Sequence, residues 1–213
     1  MSGFNLFWGD IVGGGFKTNI MMKVMSISLK DKEVPDEAAL QRFAGEGSPI
    51  RKSVNHQSAF DEQTRIIIVG TLIPPDLEYF FLNQPRMYRR IDASRGTDLE
   101  HLQQNPKNIA IIKDILKEQG IAFCDLCEMA VIPKKSTKDK DIKKFVFYEP
   151  LAQFVSAHPK VLVVAISRFA EKVLKKKLPK EAHIEYCHFF RGGKGHGIEN
   201  DDHQWIGLFN SCR

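Results

Sequence analysis

The stretch from Arg65 to Tyr88, RIIIVGTLIPPDLEYFFLNQPRMY, decides the fold. Ile66, Ile67, Ile68 and Val69 run without a polar break into Gly70, which is how a strand covered on both faces reads when a glycine ends it. Pro74 and Pro75 then remove backbone donors and fix φ, so a loop is expected rather than a helix. That loop carries the aromatic block Tyr79-Phe80-Phe81, then Asn83, Pro85 and Arg86. In an open α/β sheet, ligands bind outside the carboxyl ends of the strands. A functional site is therefore expected where this loop leaves the strand.

Working outward, Asn105-Pro106 reads as a helix start, because Asn caps and Pro suits the first helical position. Ile109, Ile112 and Leu116 follow at helical spacing, joined by Ile111 and Ile115, and Gly120 stops the helix. Ile121 to Asp125 is a second strand, and the lysine-rich segment 134–144 after it is expected as a loop. Pro150 opens a short helix with Leu151, Phe154 and Val155 on its inner face, ended by His158-Pro159. Val161 to Ile166 is a third strand of parallel type. Ser167 can cap the next helix, with Phe169, Val173 and Leu174 inward and Lys172 and Lys175 to Lys177 outward. His183 to Phe189 is a fourth strand. Strands alternating with helices predict an α/β fold, three-layer α/β/α with a central, mostly parallel four-stranded sheet. The domain is expected over 61–213. Residues 1–60 form an extension without a sustained period, apart from a short helix from Asp36 to Phe43 between Pro35 and Gly45. Met21, Met22 and Met25 offer later starts, so a leader upstream of the true start is one reading of the first residues.

The chain has 213 residues with 43% hydrophobic content, enough for one substantial core. Its 31 Lys and Arg against 26 Asp and Glu give a net charge of +5, which permits an anionic partner without requiring one. Lysines crowd into 134–144 and 172–180, where they either flank a phosphate backbone or form a solvated face. Cys124, Cys127, Cys187 and Cys212 are few, and no secretory leader is read before them, so reduced thiols in a cytoplasmic protein are expected. Cys124 and Cys127 form a lone C-x-x-C without a second pair or paired histidines, and a cysteine within a strand behaves as a small hydrophobe. No metal or cofactor is expected. No Gly-x-Gly-x-x-Gly follows the first strand and no P-loop occurs, which removes the main markers of dinucleotide and nucleoside triphosphate folds. No apolar run is long enough for a membrane span, and a monomer is expected.

The order of motifs resembles the uracil-DNA glycosylase superfamily. VGTLIPP followed by YFFLNQPRMY is similar to that family's first-strand loop with its proline, aromatic and Asn-Pro segment. GIAFCD is similar to its second strand ending in Asn or Asp, and VLVVAISRFAEKVL to its third strand and helix. The resemblance covers about residues 60–213 and implies a DNA-binding protein that excises a damaged or deaminated base. Such enzymes take a base out of the stack and cleave its bond to the sugar through a cationic sugar-like transition state. It implies Tyr79, Phe80, Phe81 and Asn83 as base-binding residues. It implies Asp125, Thr71 and Asn210 as catalytic ones, and Arg86, Lys134, Lys135, Ser211 and Arg213 as contacts to DNA.

The sequence departs from that pattern in three places. Leu72 and Ile73 stand before Pro74, where the family places an Asp or Asn to position water. Asp125 stands where the family reads uracil with an amide; an ionised carboxylate only accepts, so it suits an exocyclic amine or ring N–H instead. The family's second catalytic loop has two counterparts, His188-Phe189-Phe190 with Gly192-Gly193, and Leu208 to Arg213 at the chain end, so the loop is either cut short or lost. Simpler roles stand beside these. The aromatic block can pack beneath its loop, Asp125 can cap a turn, and His188 can be a core histidine. His196 and His203 are expected in an exposed segment. A non-catalytic nucleic-acid or nucleotide-binding module of the same fold is the alternative function.

Overall fold

The computed structural model describes residues 32–44, 49–53, 60–72, 85–133, 136, 138–187 and 198–212. In chain order these hold α1 (Glu37–Ala44), β1 (Ile50–Lys52), β2 (Ile66–Gly70), α2 (Pro85–Arg95) and α3 (Leu99–Leu102). A 3-10 turn over Pro106–Asn108 runs into α4 (Ile109–Glu118), followed by β3 (Ile121–Asp125), β4 (Cys127–Val131) and β5 (Lys144–Phe147). Then come α5 (Glu149–Ala157), β6 (Leu162–Ala165), α6 (Arg168–Lys177), β7 (His183–Tyr186) and α7 (Ile198–Ser211).

The central sheet is four-stranded in the order β3-β2-β6-β7. Its neighbours all pair in parallel, with Ile66 opposite both Ile121 and Leu162, and Leu162 opposite His183. Every residue of β2, β3 and β6 is buried, which is why these strands read as unbroken apolar runs instead of alternating ones. Their residues still divide by face. Ile67, Val69, Ala122, Cys124, Val163 and Ala165 pack with Leu151 and Val155 of α5 and with Ala170, Val173 and Leu174 of α6. Ile66, Ile68, Phe123 and Val164 pack on the other face against Met87, Ile91, Ile112, Leu116, Trp205 and Phe209 from α2, α4 and α7. Each fully buried Ile or Val contributes about 1.5–3 kcal/mol, so the three layers are held chiefly by these two apolar contacts.

The capping expectations hold. The Asn105 side chain accepts from the Lys107 amide at 3.1 Å, and Ser167 Oγ accepts from the Ala170 amide at 3.1 Å. Asp36 Oδ1 likewise accepts from the Ala39 amide at 2.7 Å to start α1. Gly120 ends the α4 turn with φ +66°, and a Cβ there would stand 2.7 Å from the Gln63 carbonyl oxygen. Only glycine satisfies both conditions. Ile112 and Leu116 are buried as expected, whereas Ile111 is 49% exposed, because it stands about 100° around the helix from Ile112.

Beyond the central sheet, the structure departs from sequence expectation in several elements. A three-stranded antiparallel sheet, ordered β1-β4-β5, adjoins the central one. Its β4 begins two residues after β3 ends, with only Leu126 between them, and its β5 takes in Lys144, the last residue of the segment expected as a loop. Leu40 and Ala44 of α1 close over Met129, Val131 and Val146 of this sheet. Short strands of mixed composition have no periodicity to betray them. The segment after Asn83 is not loop throughout either, since Pro85 opens α2 and Met87, Tyr88 and Ile91 bury one of its faces. Leu208 to Ser211, expected as a loop, is the end of α7, where Trp205 and Phe209 lie four residues apart and are both fully buried. That spacing puts them on one helical face.

Candidate functional site

The carboxyl end of the central sheet carries two buried polar residues, Thr71 and Asp125. Gly70 and Asp125 are register partners at the ends of β2 and β3. The ladder continues past them, the Leu126 amide donating to the Gly70 carbonyl at 2.7 Å and the Cys127 amide to the Thr71 carbonyl at 3.0 Å. Thr71 and Asp125 are thus held by backbone that is part of the sheet, a more rigid mounting than a free loop.

Asp125 is 0% exposed. Its Oδ2 accepts a hydrogen bond from Ser53 Oγ at 2.5 Å. Ser53 reaches it because β1 lies on β4, with the Ser53 amide donating to the Glu128 carbonyl at 2.8 Å. A buried carboxyl group needs such donors, because an unsatisfied polar group in a low-dielectric interior costs more than the bond itself returns. Ser53 is the residue of this cluster that sequence reasoning missed. It stands in a polar segment with no motif, and its partner is 72 positions away. Thr71 is nearly buried, and its Oγ1 lies 3.0 Å from Ser167 Oγ, the cap of α6. Leu72, next in the chain, packs against the apolar cluster beneath α5 and α6.

Two further features border this end. Arg168, the first residue of α6, lays its guanidinium over the Tyr186 ring at 3.6 Å from the centroid, where β7 ends. Beneath Asp125, Cys124 and Cys127 are buried in apolar surroundings, and burial followed by the neighbouring Asp125 charge pushes both thiols well above their ordinary range. Protonated, enclosed thiols are poor metal ligands and poor nucleophiles. Among the described residues, no group of three or more His, Cys, Asp or Glu is placed to hold a metal ion. No helix among them is long and apolar enough to cross a membrane.

The structure brings Thr71 and Asp125 together at adjoining strand ends. Tyr79, Phe80, Phe81 and Asn83 lie outside the described residues, as do Lys134, Lys135, Arg213 and the His188 to Gly193 segment. Arg86 is half-buried in the first turn of α2. Asn210 and Ser211 are exposed in the last turn of α7, and Ser211 Oγ is turned back to the Leu208 carbonyl at 2.9 Å. Gln204, whose side chain meets the Tyr186 carbonyl at 3.4 Å, lies about 9 Å before Asn210 along the helix axis. No contact among the described residues joins Asn210 to Thr71 or Asp125. A cleft of about 430 Å³ lies elsewhere, lined by Glu33, Val34, Pro35, Phe147, Glu149 and Lys177. It holds none of the residues implied by the resemblance.

No protein-family model matches the chain, and no curated protein matches it. Among solved structures, it is similar to the solution structure of a "putative Uracil DNA glycosylase" from Methanosarcina acetivorans. The match has a TM-score of 0.53 at 19% identity and covers 72% of this chain and 93% of that one. The likeness is one of fold. It agrees with the parallel order β3-β2-β6-β7 flanked by helices on both faces, and so with a glycosylase-like α/β architecture.

Proposed function

We propose that this protein binds DNA and excises a damaged or deaminated base by hydrolysing its N-glycosidic bond. The extruded base is held at the carboxyl end of the central sheet. The observation that carries this reading is the placement of Asp125 and Thr71 at the adjoining ends of β3 and β2, in a fold similar to that of the Methanosarcina acetivorans structure. In this reading Asp125 accepts from an exocyclic amine or ring N–H of the base, which favours a lesion other than plain uracil. Tyr79, Phe80, Phe81 and Asn83 receive the ring, while Arg86, Lys134, Lys135, Ser211 and Arg213 contact the backbone. Thr71 and Asn210 are the remaining catalytic candidates. In the reaction, water oxygen bonds to the sugar carbon, the bond to the base breaks, and the base departs with the electron pair and takes up a proton.

The test is an assay of labelled duplexes carrying uracil, hypoxanthine, xanthine or mismatched thymine, followed by alkali. Strand breaks above the Asp125→Ala background support excision, and their absence on every substrate removes it. A second reading, a non-catalytic nucleic-acid or nucleotide-binding module, is favoured by one observation. The Thr71 hydroxyl is engaged with Ser167, and Leu72 packs into the core, so neither residue offers a carboxylate or amide to hold water. Salt-dependent binding of the same duplexes without strand breaks supports this reading.

A further inference from the structure

We infer that the outer face of α6 is a track for a nucleic-acid backbone, running from the candidate site along Arg168, Lys172 and Lys176. The inference rests on the proposed DNA partner but not on base excision. At about 100° per residue, Arg168, Lys172, Lys175 and Lys176 fall within a sector of about 100°. Ala170, Val173 and Leu174 occupy the opposite side, where they are buried. The four cations are all exposed.

Exposed lysines are commonly just a solvated face. Three observations set this one apart. First, its four cations share a single carboxylate, whereas one-to-one pairs such as Lys52 with Glu37, Arg89 with Glu100 and Lys117 with Asp61 also occur on the surface. On α6 a single acidic residue, Glu171, serves both Arg168 and Lys175 at 2.7 Å, and Lys172 and Lys176 have no carboxylate partner among the described residues.

Second, the track starts at the site. Arg168 directly follows Ser167, whose hydroxyl lies 3.0 Å from that of Thr71. Its guanidinium is flattened on the Tyr186 ring at 3.6 Å while the side chain stays 66% exposed. An arginine pre-positioned in this way has less freedom to lose on engaging a phosphate or a base face. Third, the length fits. Arg168 to Lys176 spans about 12 Å of helix axis, over which duplex DNA presents about seven phosphates. The same face carries no exposed large apolar side chain, so it lacks what an interfacial helix uses to enter a membrane.

The experiment measures binding of a labelled 25-base-pair duplex across a salt series, using the full chain. In the combined variant Arg168→Gln, Lys172→Gln, Lys176→Gln, affinity is expected to fall roughly tenfold or more, and the slope of log K against log salt to flatten by about two to three. Glu171→Gln, which removes the one carboxylate on the track, is expected to tighten binding. As a control, Lys113→Gln with Lys117→Gln on α4 is expected to change the slope by less. A triple variant that binds with unaltered affinity and slope overturns the track and leaves the DNA-binding reading standing. A wild-type chain that binds no duplex at low salt, or that binds phosphatidylserine vesicles instead, overturns both. Loss of binding in the triple variant supports the track even if no base is excised.

Discussion

At the residue scale, the Ser53–Asp125 contact holds the candidate site together. It joins a serine outside the parallel sheet to a carboxyl group within it, at 2.5 Å and in a position closed to solvent. Ser53→Ala removes one donor to a buried carboxyl group, so unfolding free energy should fall by about 1–3 kcal/mol. Urea unfolding followed by circular dichroism measures this, and a change within error would mean that Asp125 does not depend on the serine. Asp125 itself was legible in the sequence because it ends an apolar strand, where a charged residue is conspicuous. Ser53 was not, since nothing local distinguishes one polar loop residue from its neighbours.

At the element scale, α6 combines an apolar inner face, a serine cap and a cationic outer face, and its charge balance rests on Glu171. Hydrogen bonds from Lys175 and Arg168 hold the Glu171 carboxyl below its ordinary value of 4.5. A depressed carboxylate contributes stability that is fully present above its unfolded value and is lost as pH falls through its folded one. Wild type should therefore be more stable than Glu171→Gln at neutral pH, with the gap closing below about pH 4.5. Arg168 and Lys175 are 66% and 58% exposed, so solvent screening keeps that gap under about 1 kcal/mol. Thermal unfolding at a series of pH values tests it, and a gap that persists unchanged at pH 3 would be inconsistent with this assignment. The pattern of α6 was readable in advance, because cap, period and lysines are all local signals. The β4 and β5 strands were not, since their pairing with β1 supplies what their composition lacks.

At the scale of the whole molecule, α2 and α7 are joined across 112 positions by Arg90 and Asp202. Arg90 is 3% exposed, meets Asp202 Oδ1 at 2.6 Å and lies 5.7 Å from the Trp205 ring centroid. These two helices follow the two chain segments that leave the carboxyl ends of β2 and β7, so the pair helps fix the frame around the candidate site. Asp202→Asn strands a buried guanidinium without its counter-charge and should lower stability by about 3 kcal/mol. Asp202→Glu should recover part of that loss. A loss of less than about 0.5 kcal/mol in equilibrium unfolding would show that Arg90 finds adequate compensation elsewhere.

The sequence by itself determined the parallel sheet and its covering helices. These follow from unbroken apolar strands, helical periods, Asn105, Ser167 and Gly120, all of which act within a few residues of where they stand. Only the tertiary structure decided that Ser53 reaches Asp125, that Thr71 meets Ser167, that Arg168 lies on Tyr186, and that the Leu208 to Ser211 segment is helix. The first three are contacts between side chains brought together by folding, and the last depends on Trp205 and Phe209 having a core to enter. A sequence records the propensity of each segment but not the identity of its neighbours, and both the buried carboxyl group and the helix end are fixed by their neighbours.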